Sequence, residues 1–123
     1  MRRFLAIAFV FTLINPTAFS PLSAQTVSEK SYKTPGPVEG YHWYSEVGII
    51  DPGAMTVPYD GAAEIEVKSA ERCKLACNVF ASCKAFLFVE PRLPAQPATC
   101  RMLGRAPDEA VSLLHSHLYL KDD

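Results

Sequence analysis

Four cysteines, Cys73, Cys77, Cys83 and Cys100, lie close together in a chain of 123 residues, and their spacing restricts how that stretch can fold. After Ser69, the residues Ala70, Cys73, Ala76, Cys77 and Phe80 recur at the three-and-four spacing of one helical face. The Ser69 hydroxyl suits an N-cap, and Glu71 suits the positive end of the helix dipole. The pattern predicts a helix over 70–81 that buries both cysteines and leaves Arg72, Lys74 and Asn78 on the wet side. Four cysteines allow three pairings. One helical turn separates Cys73 from Cys77, placing their Cβ atoms about 5–6 Å apart, whereas a disulfide needs about 3.5–4.5 Å. Cys83 follows just past the helix end, within easiest reach of Cys77, which leaves Cys73 for Cys100. The nested pairs Cys73–Cys100 and Cys77–Cys83 are the expectation.

Whether four such cysteines form disulfides or hold zinc depends on the compartment. Arg2 and Arg3 are followed by Phe4 to Ile14, apolar throughout except for Thr12. These 11 residues suit the core of a signal peptide and fall short of the roughly 18 to 20 that span a bilayer. Pro16 argues against a continuing buried helix, and Ser23 and Ala24 offer a cleavage point before Gln25. The arginine pair lacks the polar lead-in of a twin-arginine signal, so general secretion is the better reading. Residues 1–24 are therefore expected to be a signal peptide, and the protein to be periplasmic or extracellular. An exported chain favours two disulfides over a zinc site.

Removal of Arg2 and Arg3 with the signal leaves 10 basic residues against 13 acidic ones, a net charge of −3. That balance argues against nucleic acid as a partner. No second apolar run is long enough to anchor the protein in a membrane. The remaining 99 residues suit a single domain. Residues 25–39 are polar and Pro/Ser/Thr-rich, and are read as a flexible lead-in to a domain over 40–123. Aromatic and β-branched residues predict a first strand over 41–50, and alternation predicts another over 64–67. The run 85–89, AFLFV, reads as a central strand. Three prolines make 91–98 a surface loop. Strands are expected over 99–103 and 116–120, with a short helical turn from Pro107 to Leu114.

The segment SAERCKLACNVFASCKAFLFVE, followed by a loop and ATCRML, resembles the PAN/apple family. Shared features are the capped helix with C-x-x-x-C, a cysteine-led aromatic strand and a closing cysteine strand. The family's core pairing is the nested one above. This sequence resembles the minimal four-cysteine form, without an additional pair linking the domain ends. The resemblance implies an α+β fold, a twisted antiparallel sheet with one packed helix. It also implies a non-enzymatic module that binds a protein or a carbohydrate.

No catalytic motif or phosphate-binding loop is present, and no cofactor is expected. The candidate ligand contacts are Tyr41, Trp43 and Tyr44, together with Arg92, Leu93 and Gln96 in the proline-rich loop. The two P-x-x-P spacings in that loop read as stiffness rather than as a polyproline ligand. A second class of function is a small exported metal-binding or thiol-active protein. His115 and His117 would share a face if both lay on a strand, with His42 or a carboxylate completing a site. Against a redox role, Cys73 stands about one turn inside its helix, not at the helix start where reactive C-x-x-C pairs sit.

Overall fold

The computed structural model describes residues 31–123, so the expected signal peptide at 1–24 lies outside the described residues. The elements run β1 (Tyr41–Tyr44), β2 (Val47–Gly48), a 3-10 turn (Gly53–Met55), β3 (Thr56–Val57) and β4 (Ile65–Val67). Then follow α1 (Ala70–Val79), β5 (Ala85–Val89), β6 (Ala98–Leu103), β7 (Val111–Ser112) and β8 (Ser116–Lys121). The main sheet is antiparallel in the order β1-β8-β5-β6, with β3 and β4 sharing the outer side of β6. β2 and β7 form a separate two-stranded ribbon. The architecture is the α+β fold the resemblance implied, mostly antiparallel sheet with one helix.

β5 lies at the centre, paired on both sides with β6 and β8. Its alternating side chains serve two different cores. Phe86 and Phe88 join Cys73, Cys77, Met102 and Tyr119 beneath the helix. Ala85 and Leu87 join Leu103 and Leu118 on the opposite face, where Val47, Ile49 and Met55 cover them. Both faces of the strand are therefore dry, which is why its sequence is an unbroken apolar run rather than an alternating one.

The helix starts as expected, with the Ser69 hydroxyl accepting from the Arg72 N–H at 3.2 Å. It ends two residues early, at Val79. Phe80 turns to extended backbone and packs edge-on against Tyr59. The Cys77–Cys83 bridge closes the turn that follows. The second bridge, Cys73–Cys100, ties the helix to β6 with Cα atoms 5.6 Å apart. Both bridges follow the expected pairing, and their sulfurs are buried.

Three expectations change. The strand foreseen over 41–50 breaks at Ser45–Glu46, where Glu46 takes a positive φ of 59°. β2 then leaves the sheet and lies across its second face, so close that a Cβ on Gly48 would stand 2.6 Å from the Ser116 hydroxyl. Only glycine permits that approach. The helical turn foreseen at 107–114 is absent. β7 is recruited there by pairing with β2, a tertiary contact that overrides the local signal from Pro107. The described part of the lead-in, residues 31–39, is also not loose. Tyr32 and Val38 are buried in the helix-side core. The Tyr32 hydroxyl donates to Glu90 Oε1 at 2.9 Å, and the Tyr119 hydroxyl donates to the Gly36 carbonyl at 2.7 Å. Backbone bonds from Ser31 to Pro94 and from Lys33 to Lys68 complete the strap.

Two expectations about stability arise from this arrangement. In the chain-entropy description, the bridge spanning 27 residues contributes about 3.5 kcal/mol and the one spanning 6 about 2.4 kcal/mol. Replacing Cys73 and Cys100 together by alanine should lower unfolding free energy by about 1 kcal/mol more than replacing Cys77 and Cys83. Denaturant melts of the two double variants check the ranking. Alkali supplies the second. Burial, with the Glu90 carboxylate beside it, pushes the Tyr32 phenol up to about 12, and burial also raises Tyr41 and Tyr119. A phenol with a raised folded value stabilises the fold while neutral. That stability is complete below about pH 10 and is lost as pH rises through the folded value. Denaturant midpoints should stay level up to pH 10 and fall towards pH 12, with the late phenolate absorbance appearing as the protein unfolds.

Candidate functional site

The buried stripe of α1, Ala70, Cys73 and Cys77, fixes which helical face points outward. Leu75 and Val79, four residues apart, stand on that outer face and are 52% and 68% exposed. Polar side chains would be the ordinary occupants of such positions. Beside them β4 brings Ile65 and Val67, and the segment before it brings Tyr59. Together with Ala76 these residues line an open groove of about 610 Å³ between the helix and the β4 edge. Glu66, Lys68 and Arg72 complete the lining. Glu71 pairs with Lys74 and Glu64 with Arg101, whereas no ion pair engages Lys68 or Arg72 among the described residues. The groove thus offers an apolar floor, two available cations and one carboxylate. Its walls are held by the Cys73–Cys100 bridge and by the pairing of β4 with β6.

The aromatic residues singled out in the sequence do not form one platform. Tyr41 is buried, its ring edge-on to Phe86 and its hydroxyl donating to Asn78 Oδ1 at 2.7 Å. Trp43 is half-buried on the same face, stacked against Tyr119 at 6.4 Å. Tyr44 is exposed and points to the other face with His42. Arg92, Leu93 and Gln96 are exposed on the loop before β6, which is braced by the Ser31 hydroxyl donating to the Gln96 carbonyl. Sequence reasoning passed over Leu75, Val79, Tyr59 and Ile65. The available signal was two aliphatic residues off the buried stripe of an otherwise polar helix face.

The three histidines do not converge. His42 pairs with Asp122 at the surface. His115 sits in a turn with φ 71°, outside β8, so it does not share a strand face with His117. His117 is buried, with Nε2 at 2.7 Å from Glu90 Oε2 and Nδ1 at 3.4 Å from Trp43 Nε1. Among the described residues, Glu46, Glu90 and His117 bring possible ligand atoms within 4.8 Å of one another. The indole does not fit a metal there. A metal on Nε2 leaves a hydrogen on Nδ1, facing an indole N–H that can only donate. The thiol-active alternative fares no better, because every cysteine is in a disulfide.

Comparison with known proteins gives one family. Residues 58–103 match the family model of the PAN domain. No curated protein and no solved structure matches the chain. The matched segment contains β4, α1, β5, β6 and all four cysteines, and so includes both bridges and the groove. Residues 58–103 are thus similar to a PAN domain, and the two disulfides are consistent with its minimal, four-cysteine form.

Proposed function

We propose that the protein is an exported, non-enzymatic recognition module that binds a protein or carbohydrate partner in the groove between α1 and β4. The observation that carries this reading is the exposure of Leu75 and Val79 over Ile65 and Tyr59, next to Lys68 and Arg72, which no ion pair engages among the described residues. Exposed apolar side chains gathered in a rimmed groove favour a contact surface over a merely solvated one. The similarity of residues 58–103 to the PAN domain, a family of binding modules, supports the same class of function. Two disulfides support an oxidising compartment, periplasmic or extracellular. No helix of the described residues is long and apolar enough to cross a membrane.

The test is a binding screen of the oxidised protein against a glycan array and against exported proteins, followed by substitution. Leu75→Asp with Val79→Asp should weaken any ligand found at least tenfold, since burying each aliphatic side chain is worth about 1.5–3 kcal/mol. The unfolding midpoint should change little, because both side chains are more than half exposed in the folded protein. Unchanged affinity in that variant would remove the groove. Loss of binding on replacing the 91–98 loop by a Gly/Ser linker, or on Tyr44→Ala, would transfer recognition to Arg92, Leu93 and Gln96 or to the β1 surface.

A further inference from the structure

At one end of the sheet four elements meet around His117. Trp43 reaches it from β1, Glu46 from the turn after β1, and Glu90 from the end of β5. Tyr32 of the N-terminal strap holds the far oxygen of Glu90. The ring is 3% exposed and packs against Phe88. Its two nitrogens have opposite duties. An indole N–H can only donate, so Nδ1 must accept from Trp43, and the proton of the neutral ring is on Nε2, donating to Glu90. Both nitrogens are satisfied only while the imidazole is neutral.

We infer that His117 is a proton-operated switch that sets the position of Trp43. A second proton can enter only at Nδ1, where it meets the indole N–H and replaces a hydrogen bond by two opposed donors. The charged ring then has Glu90 against Nε2 and Glu46 near by, so the imidazolium is held where it is. Tyr32 remains neutral through this range, its phenol raised to about 12, and continues to donate to Glu90. The nearby His115 faces solvent and contributes its backbone carbonyl, which accepts from the Glu90 N–H. Of the two rings in conflict, His117 is enclosed and Trp43 is half-buried. The indole is the one that moves. Turning outward opens its stack on Tyr119 and places an aromatic side chain at the surface in acid that is tucked in at neutral pH.

Trp43 is the single tryptophan of the chain, so its fluorescence reads the switch directly. Emission of the oxidised protein is followed between about pH 8 and 5, the window in which histidines change charge. A one-proton transition with quenching and a red shift is expected. His117→Gln should abolish it, since the amide oxygen accepts from the indole and the amide nitrogen donates to Glu90 at either pH. His42→Gln and His115→Gln should retain it. A second measurement covers the case in which His117→Gln does not fold. In the unsubstituted protein, the indole ¹H–¹⁵N resonance and the His117 ring resonance should titrate together. Emission that ignores pH, a transition surviving in folded His117→Gln, or indole and ring midpoints that differ would each overturn the inference.

Discussion

The Cys73–Cys100 bridge is the contact on which the rest of the domain depends. It joins the middle of the only helix among the described residues to β6, the strand that also pairs with β3, β4 and β5. With that tie in place, Phe86, Phe88 and Tyr119 are enclosed on the helix side, and the helix cannot roll to bury Leu75 and Val79. The outer helix face and the β4 edge are fixed relative to one another. The groove is therefore a property of the bridge as much as of its own lining. A small domain with modest apolar burial gains from such a cross-link, because the unfolded chain loses freedom that the folded chain does not have.

Much of this was legible in the sequence wherever a local pattern and a tertiary contact ask for the same thing. Ser69, Glu71 and the cysteine spacing specify α1, and the AFLFV run specifies β5 with both faces covered. The nested bridges follow from the helical spacing of Cys73 and Cys77 together with the place of Cys83 just past the helix end. Legibility fails where pairing partners are distant and the segments short. β2 and β7 are two residues each and exist only because Gly48 allows one to lie over Ser116. Nothing local to Val111–Ser112 announces a strand.

The N-terminal strap and the groove escaped for different reasons. Residues 31–39 look like linker because Tyr32 and Val38 are isolated apolar residues in polar, proline-rich surroundings. The strap's hydrogen-bond anchors, Glu90 for Tyr32 and Tyr119 for Gly36, lie 58 and 83 residues away along the chain. The groove has no motif at all. Its residues come from the helix, β4 and the turn before it, and only an assembled fold places them side by side. The candidate aromatics of β1 divide between its two faces: Tyr41 lies on the core side, and the exposed member is Tyr44. The alternation of His115 and His117 says nothing of the partners His117 meets in the fold. Its partners are a tryptophan and a glutamate that together make it a hydrogen-bond junction.

Because the rigid presentation of the groove depends on which cysteines are joined, peptide mapping of the protein under non-reducing conditions tests the account most directly. It predicts one peptide pair containing Cys73 with Cys100, another containing Cys77 with Cys83, and no free thiol. Recovery of Cys73 joined to Cys83, or of free thiols in the folded protein, would contradict it.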